Sequence, residues 1–461
     1  MPHRNIDTSF STLSAISPLD GRYQKTVHEL GLFFSEEALI KYRLKVEIEY
    51  VIALSLETKI VELKPLSSVN QRTLRGLYTK FDRGGAKRVK EIENTTNHDV
   101  KAVEYYLQEL LKEEKLNMLI PWVHFALTSE DVNNLAYSLM WQDAIQFIYL
   151  PVLKKLNKTL RALSHTYADN SMLSLTHGQP ATPTTLGKEF AVFVSRIKRQ
   201  KDALEKHNLL GKLGGATGTW SAHSISLPQV NWQKFSKDFV THLGLAYNPV
   251  TTQIESHDAL VESYHTVTRI NGILLDMTKD IWMYISRGIL GQKKVEGEIG
   301  SSTMPHKINP IQFENAEGNL GLSTALLGHL AGKLQVSRMQ RDLSDSTAIR
   351  NQGVGLGYAF VAIKNIMKGL DRLTVNESTM LAELDNHWEV LGEAVQTVLR
   401  KAQKEDAYEQ LKVLTRGQTM SKETMHTFIE GLDISEKDKM RLLKLTPASY
   451  TGLANKIAKK V

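Results

Sequence analysis

The segment Gly297-Glu298-Ile299-Gly300-Ser301-Ser302-Thr303-Met304-Pro305-His306-Lys307-Ile308-Asn309-Pro310 holds two glycines, two prolines and three consecutive hydroxyls. No regular element tolerates that composition. A loop of this length between helical segments is either a plain linker or a working part. As a working part it offers serine hydroxyls for proton removal. A free hydroxyl is far too weak a base for this, so Ser301 needs activation by backbone amides, Ser302 or the Lys307 ammonium. A second segment, Thr176-His177-Gly178-Gln179-Pro180-Ala181-Thr182-Pro183, places His177 between glycine and proline, off any apolar face. Imidazole is the side chain best suited to change charge near neutral pH, which makes His177 a candidate general acid. In Thr95-Thr96-Asn97-His98-Asp99, His98 stands at a helix start, where the helix dipole favours a neutral, hydrogen-bonding ring.

The elements that must position these groups are helices. Ile40, Leu44, Ile48 and Val51 recur at helical spacing behind Ser35, a natural N-cap followed by Glu36 and Glu37. Val100, Val103, Leu107 and Leu110 form a second pattern, with Asp99 placed to cap it. Thr128-Ser129-Glu130-Asp131 has the spacing of a capping box ahead of Val132, Leu135, Ala136 and Leu139. Ile270, Leu274, Met277, Ile281 and Ile285 mark a long helix from about 255 to 287. Alternating patterns are scarce, and Gly211–Gly218 reads as a small hairpin. The expected fold is all-α. Helices longer than about 25 residues need a partner along their length, so the apolar stripes call for a bundle completed by other subunits. Boundaries near 117 and 370 divide the chain into an N-terminal part (1–117), a central long-helix bundle (118–370) and a C-terminal helical part (371–461).

Composition narrows the chemistry. The chain has 461 residues, 57 Lys+Arg, 50 Asp+Glu and no cysteine. Thiolate nucleophiles, disulfides and iron–sulfur clusters are thereby excluded. The formal charge of +7 favours an anionic partner, an acidic metabolite at least as well as a nucleic acid. No Walker-type phosphate loop is present, and Gly353, Gly355 and Gly357 fall within a helical pattern and not after a strand. None of the 15 histidines forms an i,i+4 pair, so a helix-borne metal site is unsupported, and the chain is expected to use no metal and no cofactor. Anions must then be held by side chains and helix N-termini. Met1–Asp7 lacks an apolar core for a signal, and no apolar run reaches about 18 residues. A soluble cytoplasmic protein without membrane contact is expected.

The pattern G-S-S-x-M-P-x-K-x-N-P at Gly300–Pro310 resembles the signature loop of the fumarase/aspartase superfamily. The segments at 95–104, 128–134 and 176–183 resemble corresponding stretches of the adenylosuccinate lyase family, in its bacterial form with His306 after Met-Pro. The likeness runs from Asp20-Gly21-Arg22-Tyr23 to the terminal region. It implies C–N bond cleavage by β-elimination, releasing fumarate from adenylosuccinate and from succinylcarboxamide imidazole ribotide. By the same resemblance His177 is the acid and Ser301, the first serine, the base. His98 orients the substrate, with Asn97 and Asp99 beside it. Arg22, Tyr23, Ser302, Lys307, Asn309, Asn315, Arg341, Ser346 and Arg350 bind it, and Thr128, Ser129, Gln179 and Gln253 donate hydrogen bonds. Glu314 is the orienter of the catalytic histidine. The implied partners are succinylated purine nucleotides and three further copies of the chain, in a homotetramer whose active sites each draw on three chains. Nucleic acid is not among the expected partners.

Overall fold

The computed structural model describes residues 11–294, 297, 304, 307–404, 409 and 420–461. Contacts divide the chain into two units. The first comprises Met1–Val152, Lys201–Gly272 and Gly318–Lys364; the second comprises Leu153–Gln200, Ile273–Glu317 and Asn365–Val461. The described residues are mostly helical, as the periodicities predict, and the strands form only two-stranded pairs.

In the first unit, helix α1 (Glu36–Leu56) starts where the Ser35 hydroxyl accepts the Ala38 N–H at 3.1 Å. Ile40, Leu44, Ile48 and Val51 are all buried along it. Helix α2 (Asp99–Glu113) departs from expectation at its first residue. The cap is His98, whose Nδ1 accepts the Lys101 N–H at 3.2 Å, because the Asp99 carboxylate is engaged elsewhere. Helix α3 (Ser129–Ala144) has the expected capping box between Thr128 and Asp131. Helix α4 (Asp258–Ser286) buries Ile270, Leu274, Met277 and Ile281, with Ile285 half-buried.

Helix α5 (Gln352–Asp371) explains the three spaced glycines. A Cβ on Gly353 would lie 2.4 Å from the Phe34 Cβ, one on Gly355 2.8 Å from Leu327, and one on Gly357 2.9 Å from Leu19. The missing side chains let those three residues sit directly against the helix backbone, a packing role for which no phosphate is needed.

The hairpin expected at Gly211–Gly218 does not form. Leu210–Gly211 pairs in parallel with Ala246–Tyr247, and residues 212–218 run on as a loop. A Cβ at Gly218 (φ +71°) would sit 2.3 Å from the Thr251 carbonyl, so two loops touch there through bare backbone.

The second unit carries the longest strand pairing, β1 (Ser171–Thr176) against β2 (Gln179–Thr185), antiparallel. Its C-terminal helices enclose a core of Trp388, Leu391, Val395, Leu399, Met420, Met425 and Ile429. Phe313, 1% exposed, fills the space left by Gly369, where a Cβ would approach its ring to 2.6 Å. Among the described residues, no helix is long and apolar enough to cross a membrane.

Candidate active site

The first unit assembles its polar groups on the starts of α2 and α3. His98 is exposed and uses Nδ1 as the acceptor that caps α2, which leaves Nε2 to carry the proton of the neutral ring. Asn97 beside it is in the left-handed region (φ 51°) and ends the preceding helix. Asp99 accepts from Arg43 Nη2 and from Arg350 Nη2, each at 2.7 Å, and from the Val100 N–H at 2.9 Å. Burial by itself would raise the Asp99 carboxyl, but the two guanidiniums outweigh it and bring it down to about 2. Arg43 is 1% exposed and also donates from Nε to Asn133 at 2.9 Å, which ties α1, α2 and α3 together. Arg350 reaches Glu36 as well, at 3.2 Å, and lines a cavity of about 320 Å³ with Asp20, Gln24, His28 and Phe34.

Three residues before Asn133 on α3, Glu130 opens a second cluster. Arg341 Nη2 lies 3.2 Å from Glu130 and its Nε 3.8 Å from Asp345, while Nη1 donates to Gln253 Oε1 at 3.5 Å. Gln253 in turn donates to the Ala216 carbonyl at 3.0 Å. Below them Asp131 is fully buried and paired with Lys212 Nζ at 2.9 Å. The Gly214 and Gly215 N–H groups also donate to it, at 2.9 and 3.0 Å. That buried pair holds the 212–218 loop against the start of α3, where Thr128 and Ser129 lie half-buried. Burial pushes the Glu130 carboxyl up to about 7, against the pull of Arg341. Glu130, His257 and Asp345 bring ligand-type atoms within 4.8 Å of one another. The Arg341 guanidinium lies against both carboxylates, at 3.2 and 3.8 Å, and would repel a cation brought among them, so this set does not fit a metal ion. Ser346 follows Asp345, and its N–H donates to that carboxylate at 2.6 Å.

Arg22 is exposed, and Tyr23 packs beside Leu19, Tyr358 and Val361. A larger cavity of about 600 Å³, floored by Ile52, Phe235 and Phe239, contains none of the expected site residues. On its wall Arg75 grips Glu49 at 2.8 and 2.9 Å.

In the second unit His177 occupies the tip of the β1–β2 hairpin. Thr176 pairs with Gln179, and the two connecting residues, His177 (φ 54°) and Gly178 (φ 74°), both take positive φ, as a tight two-residue turn requires. The ring is exposed, and Gln179 opens the next strand beside it. Lys307 is exposed and Asn309 half-buried ahead of the helix Ile311–Leu334. Asn315 Oδ1 accepts from Asn365 at 2.8 Å. Glu314, expected beside the catalytic histidine, accepts from the Trp282 indole at 3.1 Å. Ser301 and Ser302 lie outside the described residues.

The sequence of the Lyase family matches residues 21–322, and the adenylosuccinate lyase C-terminal family matches residues 337–451. The adenylosuccinate lyase of Legionella pneumophila strain Philadelphia 1 is 50% identical over 98% of this chain and 99% of its own. The chain belongs to the adenylosuccinate lyase family. The Escherichia coli K12 member is 48% identical over 96% of this chain and 98% of its own. A fumarate lyase structure from Mesorhizobium sp. BNC1 superimposes with a TM-score of 0.73 over 94% of this chain and 96% of that one. At 18% identity that match shows a shared, mostly helical fold.

The geometry also shows polar groups around these clusters that sequence reasoning missed. Arg43, Glu36, Glu130, Asp131, Lys212, His257 and Asp345 were absent from the expected site. One signal was available for Arg43: a guanidinium on the apolar stripe of α1 has to be paired when buried. Glu130 and Asp131 were legible only as capping residues, because nothing local shows that Lys212 and Arg341 approach them.

Proposed function

We propose that this chain is an adenylosuccinate lyase, cleaving adenylosuccinate to AMP and fumarate, and succinylcarboxamide imidazole ribotide to AICAR and fumarate. The observation that carries this is 50% identity to a family member across 98% of the chain. In the proposed mechanism Ser301, activated within its loop, removes the proton next to a substrate carboxylate. Electron density moves onto that carboxylate as an aci-dianion, then returns to form the fumarate double bond as the C–N bond breaks. The released electron pair on nitrogen takes its proton from His177. Exposure at a hairpin tip suits His177 to enter a site formed elsewhere, and the exposed His98 ring carries its Nε2–H as a donor.

Developing negative charge needs fixed donors. Arg341 and Arg350 are each steered by buried or half-buried carboxylates, which fixes their planes before a ligand arrives. Arg22, Tyr23, Asn97, Thr128, Ser129, Gln179, Gln253, Ser302, Lys307, Asn309, Asn315 and Ser346 complete the proposed binding set, without metal or cofactor. The division at 117 and 370, a homotetramer with active sites shared among three chains, and a cytoplasmic location belong to the same proposal. Exposed apolar side chains on the long helices, such as Trp282, Met283 and Leu322, support the assembly.

Purified protein given adenylosuccinate should release fumarate, and given argininosuccinate it should not. No turnover of adenylosuccinate overturns the reading.

A further inference from the structure

Arg341 is outnumbered. Glu130 and Asp345 both face its guanidinium, and they are 4% exposed each. Lys212, the other buried cation nearby, is committed to Asp131 at 2.9 Å and to the Gly215 carbonyl at 3.0 Å. His257 contributes a ring but no charge, since burial favours its neutral form over the pull of Glu255, Asp345 and Asp258. With every carboxyl ionised, one guanidinium would therefore answer two buried carboxylates before any ligand is present. A phosphate or carboxylate of the substrate arriving at Arg341 makes three anions around one cation. Like charges this close in a desolvated site cannot all persist, and the least costly response is for one carboxyl to take a proton from solvent.

We infer that anion binding at Arg341 loads a proton onto Glu130, a positioning residue whose charge adjusts to occupancy of the site. This rests on the reading above, in which Arg341 meets an anionic part of the nucleotide. Glu130 takes the proton in preference to Asp345 because Asp345 has a backbone donor, the Ser346 N–H at 2.6 Å. The charged partner of Glu130 among the described residues is Arg341 itself, at 3.2 Å. Its carboxyl already sits at about 7, raised by burial, Asp345 and Asp131 against Arg341 and Lys212. At pH 7 the carboxyl is therefore only partly ionised, and the part that is ionised can still take up a proton.

Calorimetric titration of the full-length protein with AMP at pH 7, in buffers of different ionisation heat, counts the protons exchanged. Wild type should take up measurably more of a proton than Glu130→Gln. The phosphate of AMP contributes to both counts and cancels in the difference. Equal counts in the two proteins, with AMP binding intact, overturn the inference and leave the functional reading standing. Failure of AMP to bind wild type overturns both. Should Glu130→Gln not fold, infrared spectroscopy of wild type replaces it: AMP must strengthen the protonated-carboxyl band, and an unchanged band sinks the idea.

Discussion

Asp99 and Arg350 meet at 2.7 Å, carboxylate oxygen to Nη2, across 251 residues of sequence. The same carboxylate holds the buried Arg43 at 2.7 Å, so one aspartate fixes a surface guanidinium to the interior of the first unit. Replacing Asp99 by Asn should leave Arg350 held by Glu36 as its one charged partner among the described residues, raising KM for adenylosuccinate about tenfold with a smaller effect on kcat. The folded-state carboxyl lies at about 2, below the unfolded value of roughly 3.9. The stability it contributes is therefore present above pH ~4 and lost as pH falls toward 2. Thermal melting should separate wild type from Asp99→Asn more at pH 7 than at pH 3. An equal gap at both would refute the linkage.

His177→Ala and Ser301→Ala should each lower turnover by at least ~10²-fold. Because His177 is exposed at a hairpin tip, its replacement should change unfolding stability by no more than about 0.5 kcal/mol. If the two act in one elimination, the double variant should be little worse than either alone. Near-full activity of Ser301→Ala would remove it as the base.

Lys212→Met leaves the fully buried Asp131 without its counter-charge. Breaking such a pair costs about 3–5 kcal/mol, so the urea midpoint should drop sharply. Circular dichroism against urea measures it, and a loss below about 1 kcal/mol would mean the pair is not desolvated as described.

His124 gives Nδ1 to Glu47 at 2.5 Å and its backbone N–H to the same carboxylate at 3.1 Å. Burial lowers its affinity for a proton, but Glu47, with Glu104 and Asp131, outweighs that and the net shift is upward. A raised folded value contributes stability fully present below the unfolded value of about 6.5 and lost as pH rises through the folded one. His124→Gln should accordingly cost more stability at pH 6 than at pH 9. The comparison cancels backbone strain at its positive φ, which is the same at both. A larger loss at pH 9 would reverse the sign and reject the pairing.

Two helical glycines should respond oppositely to alanine. Gly353→Ala drives a methyl into Phe34 and should cost about 1–3 kcal/mol. Gly76→Ala meets open space within the helix Ser68–Thr79 and should gain about 0.5–1 kcal/mol. Urea midpoints of the two variants on either side of wild type would bear this out; a shift in one direction for both would not.

What the sequence determined by itself was whatever depends on neighbours along the chain. Helix periods at Ile40–Val51 and Ile270–Ile281, the Ser35 cap and the Thr128–Asp131 box are local events of a few residues, and all of them formed. The signature at Gly300–Pro310 and the His177 segment carried the family, because a reaction constrains residue types in short runs. Tertiary structure alone decided the rest. Asp99 was expected to cap its helix, but two arginines from distant segments compete for its carboxylate and a charged pair is the stronger bond, so His98 caps in its place. The glycines at 353, 355 and 357 serve close packing, which is visible only once Phe34, Leu327 and Leu19 arrive. The strand at Leu210–Gly211 found a parallel partner 36 residues on, at Ala246–Tyr247, where local pattern suggested a hairpin. Charge pairing and desolvation depend on distance in space and on exclusion of water, and neither is written in the spacing of residues along a chain.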